Sequence, residues 1–233
     1  MTTNARRTIS GKAARSGKPS RRAPGRPSAD GADRRAELLD AAIACFARDG
    51  IAATSLRAVA RQAGVTPAMV HYYFGDKAQL QQALVAERVL PATQQIGARL
   101  AAVGDDADAA IAAFVHAIDE VVARHPWLPA LWVREVLCEG GALREVLFGQ
   151  LLPGLPEAMA RRFAAAQRLG RIGADLDPRL LVVSLVGLTL FPAASAPIWK
   201  RALVDGIDAG PPVDRARMLR HTLSLLAHGI GAQ

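Results

Sequence analysis

The sequence predicts an all-α chain, with a small N-terminal three-helix unit followed by a larger C-terminal helical domain. Three observations predict it. Apolar residues recur at three- and four-residue steps along most of the 233 residues, the period of a helix with one buried face. Glycine, or a polar residue followed by proline, stands at the ends of these stretches, where helices stop and start. No stretch alternates with the two-residue period of a strand, and aromatic residues make up only 5%, which argues against a β-sandwich.

Taken in order, the first helix is expected from Asp33. Leu39, Ala42, Ile43 and Phe46 fall on one face, and Gly50 is placed to end it. Thr54 or Ser55 then caps a short helix that turns Leu56, Val59 and Ala60 inward. Gly64 stops that helix, because glycine tolerates the left-handed conformation of a sharp turn. Thr66 as a hydroxyl cap and Pro67 at the first helical position open the next helix. Two short helices joined by a glycine-containing turn of about three residues form a helix-turn-helix. Asp76 caps a longer helix, with Gln79 completing a capping box. Leu80, Leu84, Val85, Val89 and Leu90 supply its apolar face, and Pro91 is expected to kink it.

The remaining segments also read as helices. Ile111, Phe114, Val115, Ile118 and Val122 share a face. Another helix runs from Pro126 to the pair Gly140–Gly141, and a third carries Leu155, Met159 and Phe163 before Gly170. Asp177 and Pro178 open an apolar helix. Residues 180–199 are almost free of charge and mimic a membrane span, but Pro192 and Pro197 interrupt them. The unbroken part is twelve residues, too short to cross a bilayer. It is expected in a core or a subunit interface, with no membrane partner. In the last helix Val213, Ala216, Leu219, Leu223, Leu226 and Ile230 form a seam suited to a partner helix.

Charge and composition narrow the function. Residues 1–35 hold ten Lys or Arg against two acids, which accounts for the whole net charge of +8. Residues 1–32 are therefore expected to be a disordered basic arm that seeks an anionic partner. Within it, residues 23–28 read Ala-Pro-Gly-Arg-Pro-Ser, either a minor-groove hook or a plain basic linker. Only two cysteines occur, Cys45 and Cys138. They form neither a disulfide framework nor a zinc spacing, and they suit a reducing cytoplasm. The basic N-terminus lacks a following apolar core and is not read as a secretory signal. His221 and His228 lie seven apart, but two ligands make no metal site. No nucleophile–base pair or glycine-rich phosphate loop is evident, so neither an enzyme nor a cofactor nor a metal is expected.

The second helix of the helix-turn-helix carries the sharpest signal. If Val70 and Phe74 point inward together, then Thr66, Pro67, Ala68, Met69, His71, Tyr72 and Tyr73 are left wholly or partly outward. Two tyrosines on a short exposed helix suit a DNA major groove, where hydroxyls reach phosphate oxygens and rings meet thymine methyls. Lys77 lies in reach of a phosphate. The alternative is that either tyrosine packs on a neighbouring helix. A catalytic His71–Tyr pair lacks an orienting third group and a pocket.

Residues 33–80, from Leu38-Leu39-Asp40 through Thr66-Pro67 and His71-Tyr72-Tyr73-Phe74 to Lys77 and Leu80, resemble the DNA-binding domain of the TetR/AcrR family of bacterial transcriptional regulators. The resemblance implies a three-helix DNA-binding domain over 33–80. It also implies an effector-binding and dimerisation domain over 81–233. By position, Thr54 and Arg57 fall on backbone contacts, Thr66, Pro67, Ala68, His71, Tyr72 and Tyr73 on the recognition helix, and Lys77 on a phosphate contact. The expected partners are a roughly palindromic double-stranded operator, a small-molecule effector and a second copy of the chain. A ligand-independent, activating or architectural DNA-binding protein that uses the basic arm is the alternative. The recognition helix lacks Arg, Lys, Asn and Gln, so readout would lean on His71, Arg57, methyl contacts and DNA shape.

Two further residue sets are expected in the C-terminal domain. Candidate effector contacts are Phe114, His116, Trp127, Leu131, Trp132, Cys138, Met159 and Phe163, with Arg134 or Glu135 as polar handles. Each reads more readily as plain core. Candidate dimer contacts are Val183, Val186, Gly187, Leu190, Leu219, Leu223 and Leu226. The resemblance further implies that ligand binding moves the helix after Lys77, with Pro91 where it could bend.

Overall fold

The computed structural model describes residues 29–151, 153–204 and 212–230. Most of the expected basic arm, with its hook at residues 23–28, lies outside the described residues. Helix α1 (Ala29–Asp49) starts ahead of the expected Asp33. Its inward stripe, Leu39, Ala42, Ile43 and Phe46, is buried. The chain leaves α1 through Gly50 at φ +89°, a conformation that costs any residue with a Cβ.

Helix α2 (Leu56–Gln62) is capped by Ser55, whose hydroxyl accepts from the Ala58 amide. Thr54, the other expected cap, is turned away from the helix. Gly64 at φ +66° makes the turn, closed by the Val65 amide donating to the Ala60 carbonyl. Helix α3 (Pro67–Phe74) begins at Thr66, but the Thr66 hydroxyl makes no capping bond. Pro67 has no N–H to satisfy, and the Met69 amide takes the Thr66 carbonyl instead. Asp76 caps α4 (Lys77–Leu84) by accepting from the Gln79 amide.

The helix beyond Leu84 does not break at Pro91. It widens into a π-helical turn (Val85–Val89) and continues as α5 (Leu90–Ala102). Pro91 has no N–H for the carbonyl of Glu87, and the wider turn absorbs that loss while the Leu90 amide reaches back to Val85. Next come α6 (Ala107–Arg124) and α7 (Leu128–Trp132), which runs into a second π turn (Val133–Leu137). Helix α8 (Arg144–Val146) and its π turn (Leu147–Leu151) lead to α9 (Leu155–Arg168). Helix α10 (Pro178–Ala194) begins at Asp177, as expected. Hydrogen bonds from the Arg179 side chain, then from its amide, hold the Asp177 carboxyl below the usual range. Helix α10 passes through Pro192, so the interruption expected there comes later. The bend, 60°, lies between α10 and α11 (Ala196–Trp199) with its π turn (Lys200–Val204). Helix α12 (Arg215–Ile230) closes the chain. No β-strand occurs among the described residues, and no single helix there is long and apolar enough to cross a membrane.

Two cores organise these helices. The first joins α1–α4 and the π turn after α4, with Phe46, Val59, Val70, Phe74 and Leu84 buried. It runs past the expected boundary at residue 80, because Leu131, Val136, Leu143 and Leu147 also enter it. The second joins α5, α6, α9, α10 and α12 around Phe114, Phe163, Leu185 and Leu226. Trp127 and Trp132 pack against both, so the two halves share a wall.

Candidate nucleic-acid interface and ligand cavity

Helix α3 is anchored by two residues four apart. Val70 and Phe74 point into the first core, and that leaves the opposite face to solvent. Thr66, Pro67, Ala68, His71 and Tyr72 are exposed. Tyr72 is 83% exposed, whereas Tyr73 is half-buried and packs against the first core. The two rings meet edge to face with centroids 5.2 Å apart. Tyr73 thus braces Tyr72 from behind. The packing alternative holds for Tyr73 and not for Tyr72.

The polar groups around this face are held in place. His71 Nδ1 lies 2.6 Å from the Gly75 carbonyl, so Nδ1 carries the proton and donates to it. Lys77 is half-buried, and its Nζ donates to the Ala52 carbonyl at 2.7 Å. Its ammonium bridges α4 to the turn before α2 and keeps two further N–H groups for another acceptor. Arg57, on the first turn of α2, is exposed. Thr54 corrects the expected set. It is 3% exposed, and its hydroxyl donates to the Gly50 carbonyl at 2.7 Å. It ties the α1–α2 turn and stands apart from the exposed face of α3.

Several interactions that hold this unit to the following helix were not singled out from sequence. Arg88 bonds Asp40 at 2.9 Å and the Ala36 carbonyl at 3.3 Å. Arg35 pairs with Glu87 while its guanidinium lies 4.9 Å from the Phe74 ring centre. Both pairs join α1 to the π turn before Pro91. Charged side chains 48 and 52 residues apart carry no local signal of their pairing.

The ten expected effector contacts do not converge. Phe114, Met159 and Phe163 are packed in the second core and Leu131 in the first. Trp127 and Trp132 form the shared wall. His116 and Cys138 are exposed, because each falls outside its helix's apolar stripe. Arg134 is exposed beside Gly50. Glu135 is 4% exposed, and its carboxyl oxygens accept from the Ile51 and Ala142 amides at 2.8 and 3.1 Å. None of the ten lines a cavity of about 340 Å³ that lies between α6, α10, α11 and α12.

That cavity has mostly apolar walls, including Val115, Ile118, Pro129, Leu188, Trp199 and Met218. Thr222, 5% exposed, is a polar residue of its lining. At one end Arg215 bonds Asp119 at 2.7 Å, and those bonds raise the Arg215 guanidinium above its already high range. Lys200 stands at another edge, with Nζ 5.7 Å from the Trp199 ring centre. Nearby, half-buried His125 is pushed down chiefly by burial, then by the charges of Arg124 and Arg88. Thr222, next to Leu223 of the last helix's seam, was not singled out from sequence.

The expected dimer contacts separate into two groups. Leu190 and Leu226 are buried, and Val186, Leu219 and Leu223 are half-buried against the second core. These five pack toward the chain's own interior, where α10 and α12 both meet α6. Val183 and Gly187 are exposed. They share a face of α10 with Leu180 and Phe191, which is 68% exposed. Ile198 and Leu203 beyond the bend, and Leu225 on α12, are further exposed apolar residues of this region.

Residues 38–84 match a family model described as "Bacterial regulatory proteins, tetR family". This is a TetR-family helix-turn-helix domain. Over 55 residues the chain is 47% identical to the nicotine-responsive transcriptional repressor HdnoR of Paenarthrobacter nicotinovorans, covering 24% of this chain and 28% of that protein. Over 47 residues it is 47% identical to the transcriptional regulator BetI of Rhizobium meliloti, covering 20% and 23%. The chain thus spans about a quarter of the length of these curated relatives. The TetR-like architecture extends further. The ketosteroid transcriptional regulator KstR2 of Mycobacterium tuberculosis superposes with a TM-score of 0.66 at 19% identity, covering 86% of this chain and 96% of that one. NalD, the secondary repressor of a multidrug efflux pump in Pseudomonas aeruginosa, gives 0.57 at 23% identity, covering 87% and 97%. At these identities the likeness is one of fold.

Proposed function

We propose that the chain is a homodimeric transcriptional repressor that binds a palindromic operator through α3 and leaves it when a mostly apolar small molecule binds. One observation carries the DNA reading. A TetR-family α3 presents Tyr72 almost free of the protein, with Tyr73 bracing it and His71 exposed beside it. Such a face meets a major groove with hydroxyl, imidazole and small apolar groups. Thr66, Arg57 and Lys77 are its backbone contacts.

The dimer reading rests on the exposed face of α10. Four apolar or small residues, Leu180, Val183, Gly187 and Phe191, follow one side of that helix, and a Cβ at Gly187 would meet nothing within 4 Å in the single chain. A second copy laid against it would cover the patch and place two α3 helices on one duplex. The cavity beside α10 and α12 supports the effector reading. Its size and walls suit a compact apolar molecule with one group that bonds Thr222. Two relatives carry a small molecule in their names, nicotine and a ketosteroid, which supports a ligand-responsive class. Release requires that the ligand favour one arrangement of the helices over the other.

The test is recovery of duplexes from a random library by the full chain at about 150 mM salt, where weak charge-driven binding is screened. An enriched inverted repeat is expected, and its loss in an Arg57→Ala, Tyr72→Ala double variant of unchanged helicity. Recovery without an enriched sequence, or the same repeat from the variant, would remove the proposal.

A further inference from the structure

The most deeply buried acidic side chain among the described residues is Glu135, and it serves neither α3 nor the cavity. It sits in the π turn after α7 and reaches across to the first core. One carboxyl oxygen accepts from the Ile51 amide at 2.8 Å, and Ile51 lies in the turn between α1 and α2. The other accepts from the Ala142 amide at 3.1 Å. The bond to Ile51 spans 84 residues and joins the turn that feeds the helix-turn-helix to the C-terminal body.

The surroundings hold Glu135 in this position. Its own carbonyl accepts from the Leu143 amide at 3.0 Å. The Arg144 guanidinium donates to the carbonyls of Val136, Leu137 and Cys138, which closes the end of the π turn. Gly141 passes so close that a Cβ there would stand 2.3 Å from the Glu135 carbonyl oxygen. On the other side, a Cβ at Gly50 would come within 3.2 Å of the carboxyl. Two glycines thus admit the approach, and an arginine fixes the loop behind it. The same short segment carries Pro129, which lines the cavity. One stretch of ten residues, Leu128–Leu137, therefore touches both the cavity and the turn before α2.

We propose that Glu135 is a positioning residue that sets the angle of the helix-turn-helix unit on the body. A hydrogen bond is directional where apolar packing is not, so this contact selects one orientation among those the shared wall would tolerate. On the reading given above, that angle fixes the separation of the two α3 helices in a dimer, and Pro129 lets an occupied cavity disturb it.

The test does not depend on DNA. Spin labels are placed at Arg61→Cys in α2 and Arg168→Cys in α9, both exposed, with Cys138→Ser removing the exposed native thiol. The distance distribution is compared with and without Glu135→Gln. The amide side chain keeps one acceptor and sets N–H against N–H at the other site. A distribution at least about twice as wide is expected, with unchanged helicity. Glu135→Asp, too short to span both amides, gives the same broadening if the glutamine variant does not fold. Superimposable distributions would overturn the proposal whatever the chain does with DNA. If the distribution broadens, a recovered inverted repeat with one or two base pairs added between its halves should lose less affinity for the variant than for the wild type. Equal loss at every spacing would also overturn it.

Discussion

Tyr72 and Thr54 carry opposite lessons from similar chemistry. Both are hydroxyl residues of the N-terminal unit, and both were expected on the DNA side. Tyr72 is held outward because Val70 and Phe74 occupy the inward face of α3, a consequence legible in their spacing. Thr54 is turned inward because the Gly50 carbonyl, at the end of α1, takes its hydroxyl as well as its amide. Sequence marked Gly50 as a stop but could not say which hydroxyl would satisfy it. Tyr72→Ala is therefore expected to lower affinity for the recovered duplex about tenfold or more, the scale of one lost specific contact, with an unchanged melting temperature. Thr54→Val should cost about 1 kcal/mol of stability, the net worth of a buried hydrogen bond, and leave affinity per folded molecule unchanged. Thermal unfolding and fluorescence anisotropy separate the two effects. A stable Thr54→Val chain with weakened binding would return Thr54 to the surface set.

The helices themselves were largely legible, because their ends are written in short-range chemistry. Ser55, Asp76 and Asp177 cap where the sequence placed caps, and Gly64 and Gly170 turn left-handed after α2 and α9. What each apolar face packs against was not legible. The stripe Leu219, Leu223 and Leu226 on α12 reads as a seam for another helix, and that helix is the chain's own α6. The apolar face left exposed on α10, with Leu180, Val183 and Phe191, is the one proposed for a second copy. Phe191→Glu should convert a dimer to a folded monomer, with little loss of helicity. Leu226→Ala should cost about 2–5 kcal/mol, as truncation of a buried leucine does, and leave the folded fraction dimeric. Sedimentation equilibrium beside urea unfolding distinguishes these outcomes. A Phe191→Glu chain that remains dimeric would place the interface elsewhere.

Across the whole molecule, the N-terminal half could be read residue by residue, while the C-terminal half could be read only as helices. A cavity lining and a core lining have the same composition, so the spacing that found Phe114, Met159 and Phe163 could not say that space opens near Met218 and Thr222 instead. Long-range polar contacts were equally hidden. Glu135 and Ile51 are neighbours only because two cores share a wall. These parts combine into one claim, that a pair of chains reads one inverted repeat as a unit. Sedimentation of the full chain on the recovered duplex tests it most directly. Two chains are expected to load together on each repeat, with no stable one-chain complex. Chains that load singly and in proportion to duplex length, whatever its sequence, would contradict it.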